Sequence, residues 1–292
     1  MSLRCDLLIA GHVTHDQLVD HRGQESWFTG GGAYFASFAA RRCGASVLTV
    51  TRLAAADLGL LEPLRAEGAE VRAVPGATTT SIRNVFETAD LDRRKVTLLA
   101  QGEAFRPEDF PPVEVSACLL TGLFRGEIPD ELLQPLSARF PLALDLQGVL
   151  RTSRGGVFAW QDWPAKSRLL PLIRFLKADA LEAEVIAGTG DRAEAARRLA
   201  GWGAREVMIT HSSEVLVYDG KQLARAAFDP ANLSGRTGRG DTCFGSYLAR
   251  RLDHGVGESL AFAAALTSLK METPGPFTGT VEQVLSRMKV AG

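Results

Sequence analysis

The chain has 292 residues, 46% apolar and 23% charged, with 33 Lys plus Arg against 34 Asp plus Glu and a formal net charge of −1. That composition belongs to a globular fold with an ample core, and it lacks the basic excess of a nucleic-acid-binding surface. The start, MSLRCDLLIAGHVTHD, is too weakly apolar for a secretory signal, no run approaches the ~18 apolar residues of a membrane span, and Cys5, Cys43, Cys118 and Cys243 show neither zinc nor disulfide spacing, so a cytoplasmic protein with reduced thiols is expected.

Residues 5–10 (CDLLIA) form a short apolar run that ends at Gly11 and reads as a first, buried parallel strand. A polar, alternating stretch follows over residues 12–28. Gly30, Gly31 and Gly32 then open an alanine-rich helical run, 33–43, stopped by Gly44. Residues 46–51 read as a strand, 58–67 as a helix stopped by Gly68, and 69–74 as a strand. This β–α–β alternation predicts an α/β fold, a doubly wound, mainly parallel sheet flanked by helices. Residues 78–100 break the pattern. Two strand-like runs flank the charged tip DLDRR and predict a β-hairpin. Together with the earlier polar stretch they predict a small β-sheet lid, or else an edge extension, on a single domain spanning residues 1–292. The lid strands fall within about 12–28 and 78–101. The run Arg93-Arg94-Lys95, beside Asp90 and Asp92, reads as a solvated hairpin tip. The alternation resumes with strands at 117–121, 142–145 and 205–210, helices at 130–139, 168–176 and 191–200, and a very short strand at 178–180. A hairpin at 214–228 and helices at about 241–253, 257–271 and 281–289 complete the chain.

Residues 234–251, SGRTGRGDTCFGSYLARR, carry the most chemistry. Gly235, Gly238 and Gly240 precede Asp241 and an apolar helical stretch. Glycines let the backbone turn tightly and approach a ligand, and a helix start offers unpaired N–H groups to an anion. An acid in an anion cradle suits one task, taking the proton of an alcohol that attacks a phosphate. The competing use of Asp241 is as a cap of the helix.

Three segments, in order, resemble motifs of the ribokinase-like (PfkB) carbohydrate kinase family. TGRGDT (237–242) resembles the C-terminal D-T-x-G-A-G-D signature, GGGAYFASFAARRCGA (30–45) the N-terminal glycine signature, and DALEAEVIAG (179–188) the N-x-x-E motif. The resemblance runs nearly end to end. It implies transfer of the γ-phosphate of ATP, with Mg²⁺, to a hydroxyl of a small sugar, inositol-like polyol or nucleoside, and no nucleic-acid or membrane partner. It makes Asp241 the general base, with the Gly238, Arg239 and Gly240 amides as anion hole. Asp16, Gly31, Gly32 and Asp145 fall to the substrate, Asp145 lying in the segment DLQGVLR with Gln147 and Arg151. Thr210, Ser212, Thr237 and Pro274 fall to the nucleotide, and Asp179 and Glu182 to the metal. Lids in this family sometimes pair, so a homodimer through the lid is a further expectation.

The chain also departs from the family pattern. The usual Asn of the N-terminal signature is absent, Asp179 replaces an Asn, Arg239 replaces a small residue, and His211-Ser212-Ser213-Glu214 replaces a Gly-x-x-Gly segment near the base. Plainer readings stand beside the functional ones. Asp16 suits a turn, Asp179 and Glu182 suit the exposed start of a helix, Asp145 suits an ordinary polar loop, and Arg239 could face solvent. His12, His15 and His21 fit no zinc spacing and read as surface or lid histidines. The alternative function is a non-catalytic ligand-binding or regulatory protein on a kinase scaffold. A dinucleotide-binding oxidoreductase would need G-x-G-x-x-G after the first strand, where this chain has GHVTHD.

Overall fold

The computed structural model describes residues 3–88 and 94–291. The strands are β1 (Leu3–Ala10), β2 (Thr14–Val19), β3 (Glu25–Gly30), β4 (Val47–Ala54), β5 (Glu70–Gly76), β6 (Ser81–Phe86), β7 (Arg94–Ala100), β8 (Val113–Leu120), β9 (Leu142–Asp145), β10 (Arg151–Arg154), β11 (Val157–Trp160), β12 (Ile173–Asp179), β13 (Glu206–Thr210), β14 (Glu214–Tyr218) and β15 (Leu223–Ala227). The α-helices are α1 (Gly32–Arg42), α2 (Glu62–Ala66), α3 (Asp130–Ser137), α4 (Gln147–Leu150), α5 (Lys166–Leu169), α6 (Ala180–Ala187), α7 (Arg192–Gly201), α8 (Arg239–Arg250), α9 (Val256–Met271) and α10 (Val281–Ala291).

Nine strands form the main sheet in the order β15-β14-β13-β12-β9-β8-β1-β4-β5. From β13 to β5 every pairing is parallel, and β14 pairs antiparallel with both β13 and β15 at the edge. Parallel strands are covered on both faces and read as continuous apolar runs, as the fully buried Leu7, Leu8, Ile9 and Ala10 of β1 do. Alternate residues feed two cores. Leu8, Leu120, Leu144 and Leu176 pack with α3, α6 and α7. Leu7, Ile9, Leu119 and Met208 pack with Ala33 and Ala36 of α1, Phe244 and Tyr247 of α8, and Leu260 of α9. The result is the expected α/β arrangement, a mainly parallel sheet between helical layers.

A second sheet of six strands has the order β10-β11-β7-β6-β2-β3. It holds the strands expected within 12–28 and 78–101, and adds the hairpin β10–β11. The tip DLDRR lies largely outside the described residues, while Lys95 at its foot pairs with Glu87.

Two expectations are corrected. The helix expected at 168–176 ends early. A short 3₁₀ turn, Leu170–Leu172, closes it, and β12 begins at Ile173. Pro171 has no N–H to continue a helix, and the apolar run after it is buried strand. The very short strand expected at 178–180 is the end of this longer one, and Ala180 already belongs to α6. Among the described residues no helix is long and apolar enough to cross a membrane.

Helices α1 and α8 lie side by side at a point where neither has room to spare. A Cβ on Gly245 would stand 2.5 Å from the Ala36 carbonyl oxygen. Forcing extra atoms into so tight a contact costs about 1–3 kcal/mol. Gly245→Ala should therefore lower the urea midpoint with an unchanged m-value; an unaltered midpoint would show that the helices yield freely.

Candidate active site

The carboxyl ends of the parallel strands share one edge of the main sheet, where ligands of such sheets bind. Asp145 closes β9, Asp179 closes β12, Thr210 closes β13, and the register sets Lys177 beside Asp145 and Asp179 beside Thr210. The first turns of α1 and α8 sit above this edge. Residues of the second sheet close the other side, and between them lies a cleft of about 520 Å³.

The cleft floor is the start of α8. Gly238 is its N-cap at φ 80, a left-handed conformation that favours glycine. A Cβ there would also strike the Phe35 ring. The Thr242 N–H starts the helical ladder on the Gly238 carbonyl at 2.9 Å. The Arg239 N–H turns back to the Arg236 carbonyl at 3.2 Å, which removes it from the expected anion hole. Gly240 and Asp241 keep the first-turn N–H groups at the cleft. The Asp241 carboxylate lies against the start of α1, 2.8 Å from where a Cβ of Gly32 would stand. Loss of solvation raises its pKa, Lys177 opposes that rise, and Asp145 adds to it.

Beneath this floor lies Lys177, only 4% exposed. Its ammonium donates to both Asp145 oxygens at 3.0 Å and stands 3.7 Å from Glu182. Burial disfavours its charge, but Asp145 and Glu182 outweigh that and raise its pKa. Glu182 is raised by desolvation to about 8, with Lys177 pulling it back. Asp145 is thus turned inward as the partner of Lys177 and does not line the cleft, contrary to the substrate role expected for it. Asp179 and Glu182 form a reciprocal capping box at the start of α6 (2.7 and 2.8 Å), so the plain helix-start reading holds in part. Asp179 still lines the cleft. One Glu182 oxygen, Oε1, is buried with no hydrogen-bond partner. Among the described residues no three acidic, His or Cys side chains cluster as a metal cage. Mg²⁺ does not need one, because it binds through one or two carboxylates, water and substrate phosphates. Asp179 and the unpartnered Glu182 oxygen fit that pattern.

The opposite end of the cleft is built by the second sheet. Asp16, 3% exposed, accepts from the Thr14 hydroxyl (2.8 Å) and the Ile82 N–H (3.0 Å). Burial pushes its carboxyl up to about 6 against these bonds. Gly31 and Gly32 line the cleft as well, and Gly31 excludes a side chain twice, by its φ of 95 and because a Cβ would meet the His12 carbonyl. Arg151 donates to the Leu123 carbonyl at 2.7 Å and lies over the Phe124 and Phe158 rings at 4.8 and 4.9 Å.

Thr210 and Thr237 line the cleft with Arg236 and Arg239. Ser212 and Pro274 do not. Ser212 is exposed and bonds to His211, and Pro274 is exposed in the loop after α9. His12 is a further correction. It is fully buried, bonded to the Glu103 carbonyl at 3.0 Å and 3.5 Å from Glu127, as a brace beneath the second sheet. Of the other two, His15 is half-buried and His21 exposed. Lys177 escaped the sequence reading, although its signal was present: a lone lysine inside the apolar run RFLKADA. The signal for β10–β11 was the Gly155-Gly156 turn between alternating residues, both with positive φ.

An anion cradle at a helix start, a carboxylate beside it and a buried polar pocket facing both define a phosphotransferase with a hydroxyl acceptor. No protein-family model matches the chain. A sulfate-complex structure of a pyrophosphate-dependent kinase in the ribokinase family is similar at 32% identity and TM-score 0.88, covering 96% of this chain and 99% of that one. A pyrophosphate-dependent kinase in the ribokinase family, complexed with a pyrophosphate analog and myo-inositol, is similar at 31% identity and TM-score 0.88 over the same shares. A curated relative, cytidine kinase from Thermococcus kodakarensis, is 28% identical over 259 residues, 84% of this chain and 87% of the relative. The chain belongs to the ribokinase family of kinases.

The raised pKa of Asp16 gives a signed expectation. On the expectation that Asp16 holds the acceptor's hydroxyls, the carboxylate that accepts them is lost as pH falls through about 6. The KM for the acceptor should rise below that pH, and Asp16→Asn should raise KM throughout and flatten the profile. A wild-type KM constant from neutral pH down to 5 would contradict this.

Proposed function

We propose that the protein transfers a terminal phosphoryl group to a hydroxyl of an inositol-like polyol, with Asp241 as general base. The observation that carries this reading is the placement of Asp241 in the first turn of α8, next to Gly240 and lining the same cleft as Asp16. Asp16 orients the acceptor through neighbouring hydroxyls, which a carboxylate accepts in pairs. Gly31 and Gly32 let the ring lie against the start of α1. The acceptor oxygen attacks the terminal phosphorus, its proton passes to Asp241, and the bond to the donor's bridging oxygen breaks. The raised pKa of Asp241 makes it a better proton acceptor than an ordinary aspartate. The α8 amides and Lys177 offset charge on the migrating group. Mg²⁺, held by Asp179 and Glu182 with the donor, would neutralise phosphate charge.

ATP is the donor on this reading. Inorganic pyrophosphate is a second reading. Arg236 and Arg239 flank the donor side of the cleft while the expected base contacts Ser212 and Pro274 lie outside it, and relatives at 31–32% identity are pyrophosphate-dependent. The polyol assignment draws on the relative complexed with myo-inositol, and a nucleoside remains the competing acceptor through the cytidine kinase. The six-stranded sheet serves as the lid of a single kinase domain, and the protein works in a reducing cytoplasm, which four free cysteines suit.

Product formation from myo-inositol or cytidine, each with ATP or pyrophosphate, tests the reading. Asp241→Asn should leave acceptor KM nearly unchanged and lower kcat at least ~10²-fold, the scale of general-base catalysis. Wild-type kcat in that variant would overturn the base assignment. Trp27, Leu99 and Val157 expose large apolar side chains on the second sheet, which supports pairing of two copies through it. Sedimentation should show a dimer that Val157→Glu dissociates, whereas a wild-type monomer at micromolar concentration would refute the pairing.

A further inference from the structure

A second lysine, Lys270 in the last turn of α9, is 2% exposed, does not line the cleft, and lines instead a separate cavity beside α10. Its ammonium donates to the carbonyl oxygens of Gly235 and Thr237 and stands 5.2 Å from the centre of the Phe35 ring. The same loop is tied to the end of α9 by the Gly235 N–H to the Met271 carbonyl (2.8 Å) and the Ser234 hydroxyl to the Glu272 carbonyl (2.7 Å). No side chain would fit at Gly235, where a Cβ would strike the Thr273 carbonyl.

The consequence follows from peptide geometry. No peptide bond among the described residues is cis, and in a planar trans peptide the C=O and the following N–H point in opposite directions. A cation that draws the Gly235 and Thr237 carbonyls backward therefore turns the Arg236 and Gly238 N–H groups forward. Arg236, Thr237 and Gly238 all line the cleft on that forward side. We infer that Lys270 is a positioning residue for phosphoryl transfer: its tethered ammonium holds the loop with the Arg236 and Gly238 amides aimed at the donor phosphates. This inference rests on the reading of the α8 start as the phosphoryl cradle.

The test is chemical rescue. A cavity of about 800 Å³ between α9 and α10 has Lys270 in its lining, the side from which a small amine would enter. In Lys270→Ala, kcat should fall on the order of a hundredfold to a thousandfold, the scale of losing one preorganised donor, with acceptor KM changed less than about twofold. Added methylammonium should restore much of the loss, and tetramethylammonium, which cannot donate, should restore none. Lys270→Arg keeps a donor cation and should keep most of the turnover. Unchanged kcat in Lys270→Ala would overturn the inference, as would a loss that methylammonium fails to relieve. If Lys270→Ala does not fold, a folded Lys270→Arg with turnover lost to the level of Asp241→Asn overturns it, and one that keeps turnover upholds it. Wild-type turnover in the same assay separates the two readings: if wild type is inactive with every donor and acceptor pair, the cradle itself is misread, whereas an active wild type with an indifferent Lys270→Ala refutes only the role of Lys270.

Discussion

Four carboxylates converge where the proposed transfer has a phosphate bind. Asp145, Asp179, Glu182 and Asp241 gather at the carboxyl ends of β9 and β12 and the start of α8. Left alone they would repel a phosphate and drive up one another's pKa values. Lys177 settles this from below by neutralising Asp145 and shielding Glu182. Removing one partner of so buried a pair leaves an uncompensated charge, so the ammonium is as much a condition of the fold as of the site. The arrangement lets Asp241 stay basic while the amides beside it stay attractive to negative charge.

The second constraint is mechanical. The proposed cradle and acceptor pocket are the starts of two helices, α8 and α1, and both rest on close backbone contact. Gly32 yields space to Asp241, Gly238 yields space to Phe35, and Gly245 lets α8 approach Ala36. A misplacement of about 1 Å between reacting groups can cost about 10²-fold, so these three glycines bear directly on the proposed transfer. The second sheet then supplies Asp16 and Arg151 from strands far apart in sequence.

Much of this was legible in the sequence because it is local. The apolar runs of β1 and β4, the glycines before α1 and α8, and the segment around Asp241 each announce their structure within a few residues. What escaped depends on register. Lys177 meets Asp145 only because β12 lies parallel to β9 with those two residues opposed, and nothing near either residue states that pairing. Asp145 was expected to face the substrate for the same reason: its lysine was out of sight. His12 looked like a surface residue until Glu127 and the Glu103 carbonyl closed around it. The run at 168–176 has helical content on both sides of Pro171, and tertiary burial decided in favour of a strand.

Amide NMR tests the central idea most directly. With saturating pyrophosphate or ATP, the backbone N–H signals of Gly238, Gly240 and Asp241 should shift more than those elsewhere on the sheet edge, as expected for amides that take up an anion. Signals there that stay still while the donor binds and perturbs another face would contradict the account.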